Sequence, residues 1–466
     1  MSVDEIPVDL SAATACELAA LMGQGCLTSA DLVQHYLQRI ELADPQLGAF
    51  TEVFVDAALQ QAELRDRDRV KGCVLGPLHG VPVVCKDLVD IAGRRTTAGS
   101  MLYDGYVAQE TAAIVTRLEL AGMVTLGKNH MVELAYGGWG TNAATGTPWN
   151  PWDLDSQRVP GGSSSGTAVA VAAGLAPIGI GSDTGGSVRI PAAMCGLVGL
   201  KTTRGQIPTD GLIPLSTTLD TVGPLARCVT DVALTYTALS YASPGAESRR
   251  PILDAKISGY RMGVLTDLDL ADTDPEVLQT YREAIKLLQD LGVQTHDFKM
   301  GQHFEDLVAR NGLFIGYEGW HLHAERILQA PEKMDPGVLA RFRAGEKITT
   351  SEYEAARKKR EMDKQEMLEL MQPIDFVLTP TTPIAAIPVE QVDENVLPLN
   401  RFTRAVNYFG LCGLAVPATL SSDRLPMSVQ FIGKPDSEAR LINIGFAYEQ
   451  RRGPFPTADI SRLLPP

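Results

Sequence analysis

PGGSSSGTAVAVAAGLAPIGIGSDTGGSVRIPAAMCGLVGLK, from Pro160 to Lys201, is the stretch on which the reading of this chain turns. It opens as a Gly/Ser loop and runs directly into GTAVAVAAG (Gly166–Gly174), a helix of small residues suited to close packing. APIGIGSD then reads as a strand, and it leads into a turn, Thr184 to Ser187, followed by the largely apolar VRIPAAMCGLVGL. Loops normally run over the surface, so a flexible turn set between two core segments asks for a reason. Two glycines allow consecutive N–H groups to point at one spot, the arrangement an oxyanion hole needs. Ser187 closes that turn, yet the nearest histidine is His130 in a separate segment, and none follows His323. A serine nucleophile here would need a different base.

The segment HGVPVVCKDLVDIAG (His79–Gly93) supplies a candidate. Lys86 interrupts an apolar run, with Val81, Val83, Val84 and Cys85 before it and Leu88, Val89 and Ile91 after. A lysine held in such surroundings loses hydration, its pKa falls, and the neutral amine becomes a competent base. The loop Gly162–Gly166 also satisfies GxSxG, the nucleophile elbow of α/β hydrolases. That elbow needs a strand before it and a late histidine; WDLDSQRVP is polar and the histidine is missing. Absence of a GK[ST] ending excludes a P-loop, although a Gly-rich loop opening a helix can hold an anion.

Outward from this stretch, strands and helices alternate. Thr28-Ser29-Ala30-Asp31 starts a helix carrying Leu32, Val33, Tyr36, Leu37 and Ile40 at helical spacing. GVPVVCKD reads as a strand, TAAIVTRLELAGM (Thr111–Met123) as a helix ending near Gly122, and VTLGK as a strand. Between Arg261 and Phe298 comes a β-α-β unit: RMGVLTD, a helix with Asp274 as N-cap and Pro275 at its first position, then VQTHDF. A long helix is expected from Ser351, with Glu354 closing its capping box, and IDFVLTP (Ile374–Pro380) as a buried strand. This alternation predicts an α/β fold with a covered sheet. Ser243–Pro251 and Thr379–Glu390 read as short linkers, and no internal repeat is found. The chain is read as one domain over 1–466, with an N-terminal helical segment (about 1–70), a core (about 75–240), a middle lobe (about 250–375) and a C-terminal segment (about 376–466).

Composition narrows the function. The chain has 466 residues, 41 basic and 56 acidic, for a net charge of −15. Such a chain repels polyanions, so nucleic acid is not an expected partner. The one basic run, ARKKRE at Ala356–Glu361, reads as a solvated helix face. Seven scattered cysteines without a CxxC pair predict free thiols in a reducing compartment. His321 and His323 in EGWHLH make a poor ligand pair, so no metal and no cofactor are expected. MSVDEIPVDLSAA has no basic or apolar signal region, and no run of about 18 apolar residues exists, so a cytoplasmic protein without a membrane span is expected.

Together, Lys86, the GGSSSG loop and the TGGS turn resemble the amidase signature family, the serine hydrolases with a Ser-Ser-Lys triad. NPWD (Asn150–Asp153), LDTVGPLAR (Leu219–Arg227) and LPMSVQFIGKP (Leu425–Pro435) also resemble its pattern, and the likeness covers most of the chain. Ser163 and Ser187 have the spacing of the family's two serines. The resemblance implies a single large domain built on a mixed, twisted sheet covered by helices on both faces. It implies Ser187 as nucleophile, Ser163 as the bridging serine after a cis peptide bond, and Lys86 as base. The backbone N–H groups of Thr184, Gly185, Gly186 and Ser187 would form the oxyanion hole, with Ser164, Asp183 and Arg189 supporting the network.

The activity so implied is hydrolysis of a carbon–nitrogen bond in a small amide, urea or carbamate through an acyl-enzyme, releasing ammonia or an amine. The assembly considered is a homodimer. The alternative within the resemblance is the glutamine-hydrolysing A subunit of a tRNA-dependent amidotransferase. Against it, the middle lobe reads GLFIGYEGWHLHAERIL where a YDGVRYG-like stretch is expected. An alternative of another class is a non-catalytic protein whose Gly-rich loops hold an anion. KNHMVELAYGGWGTN (Lys128–Asn142) resembles the family's acyl-pocket segment, so Tyr136, Gly137 and Trp139 are candidate substrate contacts. Tyr317, His321 and Arg341 of the middle lobe are further candidates.

Overall fold

The computed structural model describes residues 9–240, 251–395 and 398–465. Within them one mixed sheet of eleven strands runs through the protein. The strands are β1 (Phe50–Val53), β2 (Pro82–Lys86), β3 (Val124–Asn129), β4 (Ile178–Asp183), β5 (Val198–Lys201) and β6 (Thr221–Ala226). They continue with β7 (Arg261–Leu265), β8 (Gln294–Phe298), β9 (Phe376–Pro380), β10 (Cys412–Leu420) and β11 (Pro426–Gly433). Their order across the sheet is β1-β3-β2-β4-β6-β5-β10-β11-β9-β7-β8. β3, β2 and β4 run parallel, as do β9, β7 and β8, while the pairs from β4 through β6, β5, β10 and β11 to β9 are antiparallel.

Helices cover both faces, and the alternation of β10 shows it. A Cβ at Gly445, in the helix Glu438–Arg452, would meet Leu414 and Val416; one at Gly413, next to Leu414 in the pleat, would meet Arg189 and Val406. Successive side chains of a strand point to opposite faces, so these helices lie on opposite sides of the sheet. All eight residues of the helix Ser165–Ala172 are buried. Its small side chains are what admit it: a Cβ at Gly179 of β4 would stand 2.4 Å from Thr167 Cγ2, so glycine permits the helix to sit directly on the strand.

The β-α-β reading of 261–298 holds. β7 and β8 are parallel, and the helix Pro275–Asp290 between them has Asp274 as N-cap, its side chain accepting from the Glu276 N–H. Thus part of the middle lobe belongs to the common sheet. β8 closes one end of it and exposes Gln294, Thr295, His296 and Asp297, polar residues that discourage edge-to-edge pairing. The helix Ser29–Leu47 starts as expected from Thr28, and the helix expected at 111–123 spans Ala113–Leu120.

One boundary differs. The long helix spans Thr350–Leu370 and is capped by Thr349 with Glu352, two residues before the expected Ser351 and Glu354. Both pairs fit the capping pattern, but it is Thr349 and Glu352 that bond reciprocally, and the ring of Tyr353 in the first turn stacks on Tyr317. The ARKKRE run lies on this helix with Lys358 and Lys359 exposed, but Arg360 turns inward and donates to the Tyr408 carbonyl. The linker expected at Ser243–Pro251 lies, up to residue 250, outside the described residues, as do residues 1–8 of the N-terminal segment. Among the described residues no helix is long and apolar enough to cross a membrane.

Candidate active site

Lys86 ends β2 and is fully buried. Its Nζ donates to Ser163 Oγ at 2.6 Å and to Ser182 Oγ at 2.9 Å. No carboxylate pairs with it among the described residues. Burial without a counter-ion lowers its pKa to about 7, and the more distant charges of Asp220 and Asp183 offset only part of that fall. At neutral pH an amine in this position is poised between its two forms.

The loop reaches Lys86 through a cis peptide bond between Gly162 and Ser163. Val132 N–H donates to the Ser163 carbonyl, Gly162 N–H to that of Gly138, and Ser164 N–H to that of Ser187. Ser164 Oγ, buried like Ser163, donates to the Ser182 carbonyl. The loop is therefore laced to both the Ser187 turn and β4, and the three segments the sequence set apart meet here.

An ion pair without solvent contact fixes the turn. Asp183 Oδ1 accepts from Gly186 N–H (2.8 Å) and Arg189 Nη2 (2.9 Å); Oδ2 accepts from Val188 N–H (3.1 Å) and Arg189 Nε (3.0 Å). Arg189 also donates to Asn407 Oδ1, Gln430 Oε1 and the Thr403 carbonyl. The Arg189 guanidinium holds the Asp183 carboxyl far below the usual range despite its burial. Gly186 has φ +129°, and a Cβ there would lie 2.3 Å from Thr403 Oγ1, so both the conformation and the space demand glycine.

The four amides expected at an oxyanion hole differ in what they bond. The Gly186 N–H is spent on Asp183, whereas the amides of Thr184, Gly185 and Ser187 have no hydrogen-bond partner among the described residues. Three free donors remain around a serine that is 7% exposed. A cavity of about 220 Å³ opens against this turn, with Ser182, Thr184, Ala135 and Asp220 in its lining. Thr184 is itself tied down, donating to Asp220 Oδ1 at 2.6 Å.

The expected substrate contacts separate. Tyr136 is buried edge-on to Phe342, with the Arg341 guanidinium over its ring, and a Cβ at Gly137 would approach Arg341 Nη2. Arg341 itself donates to Glu394. Trp139 instead packs in a small apolar cluster with Val159, Ile190 and Met194. Tyr317 and His321 lie toward the outside of the helix Phe304–Gln329, their rings in tilted contact, and Tyr317 donates to Thr350 Oγ1. His323, two residues on, is buried against the Pro214 carbonyl, so the pair does not converge. No group of three His, Cys, Asp or Glu among the described residues could hold a metal ion.

Sequence reasoning missed Ser182, which looks like an ordinary strand residue until Lys86 is brought against it. It also missed Asn407, Gln430 and Thr403, which reach Arg189 from more than 200 positions downstream.

The amidase family matches residues 31–442. A 2-amino-5-chloromuconic acid deaminase of Comamonas testosteroni is 35% identical, covering 93% of this chain and 95% of that protein. The A subunit of the glutamyl-tRNA(Gln) amidotransferase of Acidothermus cellulolyticus is also 35% identical, covering 97% of each. Among solved structures, the peptide amidase of Stenotrophomonas maltophilia superposes with a TM-score of 0.82 at 30% identity, covering 96% of this chain and 98% of the other.

Proposed function

The chain belongs to the amidase signature family and hydrolyses carbon–nitrogen bonds, and we propose that it does so with Ser187, Ser163 and Lys86 in the roles of nucleophile, relay and base. The supporting observation is the 2.6 Å contact between Ser163 Oγ and a buried Lys86 whose pKa is lowered to about 7.

In this reading Ser187 Oγ attacks the substrate carbonyl while its proton passes to Ser163, whose own proton passes to the neutral Lys86 amine. The oxyanion forms against the free amides of Thr184, Gly185 and Ser187, donors that need no reorganisation. As the C–N bond breaks, the proton returns from Lys86 through Ser163 to the leaving nitrogen. Water then attacks the ester on Ser187 by the same relay, and the acid departs. Ser164, Asp183 and Arg189 keep the turn in place. Ser187→Ala should lose about 10⁴-fold or more of the ammonia release, and a fluorophosphonate should label wild-type protein at Ser187. A protein that merely binds anions would resist the label, and an active Ser187→Ala variant would refute the assignment.

We place the substrate among small amides and the protein in a reducing compartment, the latter supported by seven unpaired thiols, of which Cys85, Cys195 and Cys412 are buried. The amidotransferase relative supports a second reading, glutamine hydrolysis coupled to a partner protein. Ammonia release from glutamine only after a partner is added would establish it; turnover by the purified chain alone supports the free-standing amidase.

A further inference from the structure

Arg404 and Asn311 stand over the glycine turn that precedes Ser187. A Cβ at Gly185 would lie 3.2 Å from Arg404 Cγ, 3.4 Å from its Nε and 3.3 Å from Asn311 Oδ1. Arg404 is 7% exposed and Asn311 not at all. Arg404 donates through Nη1 to the Val308 carbonyl at 3.0 Å, yet its Nε has no partner and no carboxylate pairs with it among the described residues. Both amide atoms of Asn311 are likewise without partners. Arg341, the other guanidinium nearby, has Glu394. The surroundings of Gly185 are therefore left with an uncompensated positive charge and unpartnered polar atoms.

Buried charges are normally paired and buried polar atoms normally hydrogen-bonded, because leaving them bare is costly. An orphan guanidinium beside a reactive turn is explained if its counter-ion arrives with the substrate. The planar fork of arginine matches a carboxylate, and the Asn311 amide can add a donor. Ser187 is two positions on from Gly185, at most about 7 Å along the chain, so the anion sits a short spacer from the attacked carbonyl.

We propose that Arg404 and Asn311 form a carboxylate subsite, and that the substrate is a short amide carrying a free carboxylate a few bonds from the scissile C–N bond. This rests on the amidase reading above, which it narrows to a substrate class.

The test measures ammonia release from acid and methyl-ester pairs: succinamate, glutaramate and glutamine, each against its methyl ester. The amino acid and the plain acids separate the two sources of carboxylate. Wild-type protein should prefer the acid of at least one pair by about 10- to 100-fold in kcat/KM, the size of a lost hydrogen-bonded charge. In Arg404→Gln that ratio should fall to near one, the loss appearing on the acid. Succinate should raise the Tm of wild type and leave that of Arg404→Gln unchanged. Equal turnover of acids and esters by wild type, or an acid preference surviving in Arg404→Gln, would overturn the proposal. Should Arg404→Gln fail to fold, Arg404→Lys and Asn311→Ala, with the same ratios, take its place. Absence of fluorophosphonate labelling at Ser187 would instead sink the amidase reading. If Ser187 labels but no pair turns over, the succinate shift decides: present in wild type and lost in the variant it supports the subsite, absent in wild type it refutes it.

Discussion

Lys86 and Lys128 sit on adjacent parallel strands, both without solvent contact, and have opposite surroundings. Cys85 lies opposite Lys128 in the ladder and Lys86 opposite Asn129, so one step of register sends the two side chains to opposite faces of the sheet. Lys128 Nζ meets Asp87 Oδ1 at 2.7 Å, with Thr96 Oγ1 and the Arg95 carbonyl beside it. Lys86 meets two serine hydroxyls and no carboxylate. Equal burial thus leaves one lysine held in an ion pair and the other without one, and the difference between the two sites is the counter-ion.

The sharpest way to break this comparison is to remove each lysine in turn. Lys86→Met should cost on the order of 10⁴-fold in kcat/KM with folding stability unchanged or raised, since it deletes a buried group with no ionic partner. Lys128→Met should do the reverse. It strands Asp87 in the interior and should cost about 3–5 kcal/mol of stability by urea denaturation, while whatever stays folded retains turnover. If both variants lose stability and activity alike, the distinction between the two sites is wrong.

How these roles could be read from the sequence depended on where their partners lie. Lys86 announced itself by interrupting an apolar run, a local signal, and the serine motifs lay within one contiguous block. Lys128 carries a comparable interruption in VTLGK, but its meaning rests on Asp87, just past the end of the neighbouring strand, which no local pattern reveals. Arg189 was legible as a support, yet its partner Gln430 lies 241 residues away on β11. The family resemblance implies the Gly186 donor as part of an oxyanion hole; that this N–H bonds Asp183 is visible only in the fold. Tyr317 and His321 are middle-lobe candidates for binding a polar or anionic substrate group, and the helix phase carries both toward the outside of Phe304–Gln329.

Stability against pH sharpens the contrast next. The Lys86 amine falls from an ordinary 10.5 to about 7 on folding. Between those values the unfolded chain binds the extra proton, so stability conferred at this site rises with pH through roughly 7 to 10.5 and is flat below. The wild type should therefore gain a few kcal/mol on Lys86→Met over that window, read as the difference between paired denaturation curves. A difference independent of pH would mean that the amine keeps its proton. The same titration should appear in catalysis: kcat/KM falling about tenfold per pH unit below an apparent pKa near 7.

The smallest expected effect separates the two hydroxyls that face Lys86. Ser163 is assigned to the relay, whereas Ser182 only accepts from Nζ at 2.9 Å, a bond that favours the ammonium over the amine. Ser182→Ala removes that preference without touching the relay. Turnover at the pH optimum should fall by no more than about tenfold, the value of one neutral hydrogen bond, and the acidic limb of kcat/KM should move to lower pH because the protonated amine has lost an acceptor. Were Ser182 merely packing, the limb would stay in place; were it the true relay, turnover would collapse as in Lys86→Met. A displaced limb with modest loss is the signature of a positioning residue, and it would tie the pKa of the base to hydroxyl partners in place of a counter-ion.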